Sequence, residues 1–422
     1  FSVRFDGSSD FGSKQRWAPF FSGGLGVNIH NYEFLKGNEM VNKLKVRASY
    51  GRTGKASFPA YAATTMYEAL FDEWYATGFG AVLKALGNNN LTWEKTDKFN
   101  VGIEMQFLNR RLTVDADYYH DKTIDLVNDV SLSQTSGFSS YKDNMGEVLN
   151  QGFELQVRGE VFRNRDWLVA LWGNMAHNKN KILKISDSQR AYNQRVKEFY
   201  ENIVNEEYGR YNSKYGVPIS QYEEGQSLTS IWAVKSLGID PTTGKEIFLN
   251  RDGSVSDTWN ATQEVAVGNT EPKFNGSIGF NAAYKQWSLF AAFQYEWGGQ
   301  EYNQTLVDRV ENARIQYQNV DLRVLTDRWK QPGDIAQFKD IKNADNATMP
   351  TSRFVQDKAY LRLSALTLSY DFNREWIKKY LGMNMLRLEA STRDFINWNS
   401  IRQERGLSYP KSWTVDFSIK AQ

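Results

Sequence analysis

The chain has 422 residues, 51 basic against 49 acidic, and no cysteine, so disulfides, thiol catalysis and zinc thiolate sites are excluded and no global field gathers nucleic acid. A hydrophobic content of 41% beside 24% charged residues excludes wholesale disorder. Mean hydropathy is −0.59; no apolar run reaches the ~18 residues of a helical membrane span, whereas strands with a polar inner face can cross a membrane at this hydropathy.

Taken in order, the sequence reads as strands of two-residue period. Phe1, Val3 and Phe5 face one way, Arg4 and Asp6 the other. With no initiator methionine and no signal-like segment, the chain reads as a piece starting inside a folded unit, whose first strand needs a neighbour. Phe21, Gly23, Leu25, Val27 and Ile29 form a second strand. In the third, Leu44, Val46, Ala48 and Tyr50 point outward against Lys43, Lys45, Arg47 and Ser49. Four polar residues in succession on one face fit a wet lumen and not a dry core.

Beyond an aromatic-rich loop, Phe99, Val101, Ile103, Met105 and Phe107 start a hairpin that returns through Leu112, Val114, Ala116 and Tyr118. Phe153, Leu155, Val157 and Val161 lead to a turn at Asn164 and Arg165, then Trp167, Val169, Leu171 and Met175. The clearest alternation comes next. Phe274, Ile278, Phe280, Ala282 and Tyr284 share one face, and Trp287, Leu289, Ala291, Phe293, Tyr295 and Trp297 share the same face of the following strand. Aromatics at both ends of an apolar band are membrane-interface belts. Asn275, Asn281, Gln294 and Glu296 are expected to line water. A further strand runs through Leu361, Leu363, Leu366, Leu368, Tyr370 and Phe372, its phase shift implying a bulge near Ser364 and Ala365. A short helix over Arg374 to Leu381, a strand through Leu386, Leu388 and Ala390, and a last strand through Trp413, Val415, Phe417 and Ile419 complete a count of twelve.

Turns near 109, 164 and 286 are short, whereas residues 54–93, 125–142, 183–270 and 304–354 form long connections, and the two kinds alternate. That asymmetry predicts an all-β fold, a transmembrane antiparallel up-and-down β-barrel with long extracellular loops. Residues 1–422 then all belong to one barrel domain, of which they form a part.

Several stretches resemble the SusC/RagA-type TonB-dependent outer-membrane transporters: NKLKVRASYGRTG at 42–54, LTWEKTDKFNVGI at 91–103, TSGF at 135–138, NMGEVLNQGFE at 144–154 and YLRL at 360–363. GIDPTTG at 238–244 and WKQPGD at 329–334 continue the likeness, which covers nearly the whole chain. The resemblance implies a Gram-negative outer-membrane importer, energised through TonB, that carries a large nutrient such as a glycan, oligosaccharide or peptide under a SusD-like surface lipoprotein lid. It also implies a barrel of ~22 strands with a plugged lumen, of which twelve strands make the C-terminal part. The plug and the TonB-contacting segment have no counterpart in these residues, so that machinery is expected on a missing N-terminal portion. The last strand also lacks the terminal aromatic residue usual in the family.

Nothing points to covalent chemistry. His30, His120 and His177 are far apart and lack ligand spacing, and no nucleophile elbow, P-loop or zincin motif occurs. Asp115 and Asp117 follow the lumen-facing period, and the turn at Asn250 to Gly253 reads as a hairpin, not a calcium loop. No catalytic residue, metal ligand or cofactor is expected.

The binding candidates are loop aromatics. Tyr61, Tyr67, Trp74 and Tyr75 offer flat faces to a sugar ring or peptide side chain, or else pack the loop on itself or on the lid. Trp232 is a further candidate, with Trp259 in the same loop. Tyr192, Val196, Phe199, Tyr200 and Ile203 recur at helical spacing and predict a helix in the longest loop, folded onto the rim. The leading reading is nutrient import across the outer membrane, with outer-membrane lipid around the wall; the alternatives are a passive porin or structural barrel, and a soluble carbohydrate-binding β protein.

Overall fold

The computed structural model describes residues 1–8, 16–55, 63–75, 78–88, 91–131, 140–144, 146–205, 217–313, 315, 317, 320–343, 348–401 and 414–421. Twelve strands build one large antiparallel sheet: β1 (Ser2–Gly7), β2 (Trp17–Asn28), β3 (Val41–Lys55), β4 (Glu94–Phe107), β5 (Leu112–Ile124), β6 (Glu147–Arg163), β7 (Trp167–Lys184), β8 (Phe274–Tyr284), β9 (Trp287–Tyr302), β10 (Val355–Asp371), β11 (Leu386–Arg393) and β12 (Thr414–Ala421). Each pairs with the strand before and after it in the chain, and Asn397–Asn399 adds a short piece against β10. The count of twelve and the up-and-down order agree with the sequence pattern. Among the described residues β1 and β12 are open edges, and in lipid each such edge needs a pairing partner.

The outer face carries apolar side chains that no second layer covers. Leu25 is 82% exposed and Ile278 47%, with Val27, Val101, Leu171 and Leu368 also on the open surface. A soluble sheet would bury such a face, whereas lipid covers it here. Two aromatic rows bound the band. On the short-turn side Trp167 pairs in register with Tyr284, Tyr284 with Trp287, and Trp287 with Tyr370. Their rings touch, Trp167 to Tyr284 at 4.4 Å and Trp287 to Tyr370 at 4.8 Å. On the long-loop side Tyr118 pairs with Phe153, Phe153 with His177, and Phe274 with Trp297. Trp287 and Trp297 lie ten residues apart on β9; at ~3.4 Å per residue and a tilt of ~40° this is ~26 Å along the membrane normal, the height of an apolar band. Past Tyr50 and Phe99 the same outer face turns charged, with Arg52 and Asp97 paired at 2.6 Å.

The inner face is polar and wet. Glu104 takes Lys43 at 2.5 Å and Lys45 at 3.4 Å, and Arg47 grips Asp117 at 2.7 Å. Gly102 leaves room for that last pair, since a Cβ there would strike Asp117 Oδ1 at 2.3 Å. Asn275 is exposed and Asn281, Gln294 and Glu296 are half-buried, so none of the four sits in a dry core. Gln294 accepts from Arg362 at 2.6 Å, and Glu296 pairs with Lys358 at 3.8 Å. The bulge falls at Ser364, where Ala292 pairs with Ala365 but Phe293 with Leu363.

The short connections have local causes. Leu108, Asn109 and Arg110 all adopt left-handed backbone, with φ of 56°, 56° and 64°, in the turn from β4 to β5. Asn164 Oδ1 accepts from the backbone N–H groups of Asp166 and Trp167 in the turn from β6 to β7. The predicted helix between β10 and β11 is present at Arg374–Leu381, capped by Asn373 and ended by Gly382 at φ 67°.

The long connections carry structure of their own. Residues 54–93 contain a hairpin, Met66–Tyr75 with Gly78–Ala85. Residues 125–142 contribute to a second, Val127–Ser131 with Ser140–Asn144. Strand β7 runs to Lys184, at the start of the loop expected from residue 183.

Candidate binding site in the outer loops

Residues 183–270 and 304–354 fold together on the long-loop end of the sheet. Ser230–Ala233 pairs with Val265–Asn269, and Lys235–Ile239, Glu246–Leu249 and Val255–Ser256 form a three-stranded sheet. The expected hairpin turn is there, with Gly253 N–H on Asn250 O at 3.0 Å. From the other loop, Leu306, Val307, Val310, Ala313, Val324, Phe338 and Phe354 make a buried core.

Backbone bonds stitch the two loops together. Val234 N–H donates to Pro350 O at 3.1 Å, and Ser352 N–H donates to Val234 O at 3.0 Å. The two motifs GIDPTTG and WKQPGD meet directly. Trp329 Nε1 donates to Pro241 O at 2.9 Å, and the Trp329 ring lies on Gly244, where a Cβ would sit 2.5 Å from it. Gly244 also adopts φ 69°, so two requirements converge on glycine at that position.

A buried ionic cluster lies at this seam. Arg353 Nη2 donates to Glu311 Oε1 at 2.6 Å and to Glu246 Oε2 at 2.8 Å, while its Nη1 reaches Gln337 O at 2.6 Å. Glu311 is fully buried. Burial pushes its carboxyl up, but the Arg353 guanidinium opposes this and leaves it below the usual range. Burial pulls the nearby Lys339 ammonium down to about 8, against the opposing pull of Glu311.

Helix α1 (Asp187–Asn205) lies where the apolar spacing predicts it, although Phe199 is exposed and the Ile203 side chain lies outside the described residues. Val196 and Tyr200 are buried against Ala261, with Tyr192, Ile219, Trp259 and Met349 around them. The helix therefore packs on the loop module itself. Trp259 stands edge-on to Tyr200, ring centres 5.4 Å apart, and its Nε1 donates to Pro350 O at 2.9 Å. Behind it Glu264 is fully buried, accepting from the Gln221 amide, and burial pushes its carboxyl up to about 8.

Trp259 divides two clefts. One, of about 290 Å³, is lined by Glu201, Asn250, Asn260 and Gln263; the other, of about 340 Å³, by Lys245, Glu246, Asp257 and Lys339. The Trp259 indole thus has amide side chains in the cleft on one side and mixed charges in the cleft on the other, the mix of flat apolar and polar groups typical of small-molecule sites.

The sequence candidates fall elsewhere. Tyr67 is 69% exposed on the hairpin strand Met66–Tyr75. Trp74 pairs with Phe79 and Tyr75 with Gly78 through their backbones, while their side chains, and all of Tyr61, lie outside the described residues. Trp232 is 1% exposed and presents no open face. Trp259 was visible as one more loop tryptophan, but its neighbours Tyr200 and Pro350 come from distant sequence. The cluster of Arg353, Glu311 and Glu246 carried no sequence signal.

The comparisons with known proteins follow this geometry. The profile of the family described as "TonB dependent receptor-like, beta-barrel" matches residues 1–391. TonB-dependent receptor P3 of Formosa agariphila is 27% identical over 405 residues, covering 94% of this chain and 39% of that protein. TonB-dependent receptor SusC of Bacteroides thetaiotaomicron is 33% identical over 196 residues, covering 44% of this chain and 19% of that protein. The structure of the RagAB peptide transporter superposes with a TM-score of 0.76 at 24% identity, over 94% of this chain and 42% of that one. The chain thus spans about two fifths of the length of P3, the first of these relatives. With strands, girdles and a wet inner face in place, the chain belongs to the β-barrel family of TonB-dependent receptors and is a wall of the bacterial outer membrane.

Proposed function

We propose that this chain supplies part of the wall and the outer chamber of an importer that carries a large nutrient, an oligosaccharide or a peptide, across the outer membrane. The observation that carries the reading is the joining of two long loops into one module, with the half-buried Trp259 lining a cleft on each side. A passive channel needs a wet wall but no such chamber. Relatives named as receptors and as a peptide transporter support an energised route, with TonB pulling a plug from below and a SusD-like lipoprotein closing the chamber from above. In that scheme the wall stays fixed while cargo moves from the loop clefts into the lumen lined by Lys43, Arg47, Asp117 and Gln294. No bond is made or broken in the cargo.

The test is uptake by cells carrying the full-length protein, with a panel of labelled oligosaccharides and peptides. Import of one class that stops when TonB is deleted supports the proposal. Equal passage of all small solutes, unaffected by TonB loss, identifies a porin instead.

A further inference from the structure

The wall has a notch at its outer rim. Strand β8 begins at Phe274, whereas β7 continues to Lys184 and β9 to Tyr302. Residues 269–273 cross above β8 between these two strands, and with β7, β9 and the start of β10 they line a groove of about 610 Å³. The outer aromatic row fixes its height, because His177 and Trp297 belong to both that row and the groove lining. The groove therefore opens where the apolar band ends and lipid headgroups begin.

Its charges are unevenly satisfied. Glu271 accepts from Asn178 Nδ2 and from Asn180 N–H at 3.1 Å, and Asp357 accepts from Gln300 at 3.2 Å, so among the described residues amide donors and not cations occupy both carboxylates. Lys358 is spent between Glu296 and Glu301, at 3.8 and 3.2 Å. Lys179 and Lys273 also line the groove and are exposed, and among the described residues neither forms an ion pair. Lys273 is nevertheless placed with care. His177 Nδ1 bonds its carbonyl at 2.6 Å, and its side-chain stem crosses the bulge at Gly298, where an added Cβ would come within 2.9 Å of it. Trp297, 67% exposed, lines the same groove.

We propose that this groove binds the anionic phosphate headgroup of an outer-leaflet lipid, with Lys179 and Lys273 pairing with the phosphate and Trp297 packing on the adjoining carbons. A lipid source fits better than a soluble anion because the two ammonium groups lie at the edge of an apolar surface that only lipid covers. The proposal needs the wall to sit in a membrane but does not depend on which cargo is imported.

Native mass spectrometry of the full-length protein, incubated with diphosphorylated lipid A, tests it. The comparison is wild type against Lys179→Gln/Lys273→Gln, with enzymatically dephosphorylated lipid A as the second ligand and millimolar inorganic phosphate as competitor. Heat-modifiable migration on a gel confirms that each variant is a folded barrel. Wild type is expected to hold lipid A at least tenfold more tightly than the double variant, to lose that advantage with the dephosphorylated lipid, and to resist competition by inorganic phosphate. Trp297→Ala should weaken binding of both lipids. Equal affinity of wild type and the lysine variant, equal binding of the two lipids, or complete displacement by inorganic phosphate overturns the proposal.

Discussion

Arg353 and Glu311 meet fork to fork, Nη2 to Oε1 at 2.6 Å and Nη1 to Oε2 at 3.1 Å, although 42 residues separate them. Their pairing joins the end of one outer loop to its beginning, and Glu246 on the same guanidinium brings in the other loop. Removing the arginine leaves a carboxylate buried without its cation. Arg353→Met is therefore expected to destabilise the module by about 3–5 kcal/mol, read as faster hydrogen exchange across residues 230–270 and 304–354. Heat-modifiable migration should show the barrel intact. Adding Glu311→Leu should restore part of the protection, since the stranded charge is then gone. Unchanged exchange in Arg353→Met would show that the cluster does not hold the seam.

Glu264 sets a pH dependence. Its folded carboxyl titrates at about 8 against an ordinary value of 4.5, so the folded module holds the proton more tightly than the unfolded chain. The resulting stability is complete below the ordinary value and is lost as pH rises towards 8, at up to ~1.4 kcal/mol per pH unit. Lys339 works in another window: its folded value of about 8 lies below its ordinary 10.5, so its penalty is constant below 8 and eases only above it. Hydrogen exchange of residues 259–269, corrected for intrinsic rates, should show less protection at pH 8 than at pH 5. Glu264→Gln should flatten the difference, and a slope that persists in that variant assigns it to another group.

Trp259→Ala tests the chamber. The substitution removes the indole between the two clefts and its bond to Pro350 O. Cargo affinity should fall about tenfold or more, as loss of a stacking aromatic does at binding sites, with barrel folding unchanged. Tyr67→Ala, on the separate hairpin, gives the comparison for the sequence-derived candidates. A loss confined to Tyr67→Ala would move the contact to that hairpin.

The wall was legible because lipid on one side and water on the other impose a period of two on every strand between the girdles. Ile278 and Phe293, paired across β8 and β9, show it, as does the phase shift that located the bulge at Ser364. Above the girdles both faces are wet and the period lapses, so the upper part of β7, which ends at Lys184, carries no such alternation. The chamber was less legible for a different reason. Trp259 is useful because Tyr200 and Pro350 hold it, 59 and 91 residues away, and no local pattern announces such contacts. Trp232 matches Trp259 in type and in loop, yet it is buried.

Sidedness also fixes the cost of a charge. Ile278→Arg places a guanidinium on the outer face within the apolar band and should cost about 2–4 kcal/mol in refolding into vesicles. Ser277→Arg, one residue earlier and on the inner face, should cost far less. Equal costs would mean that the two faces meet the same medium.

Spin labelling tests the central claim, a wall with lipid outside and water inside, most directly, and none of these 422 residues is a cysteine that would need replacing first. Labels at 278, 280 and 289 in the reconstituted full-length protein are predicted to collide readily with oxygen and poorly with a water-soluble nickel chelate, while labels at 277, 281 and 294 show the reverse. Accessibility that fails to alternate along β8 and β9 would contradict the account.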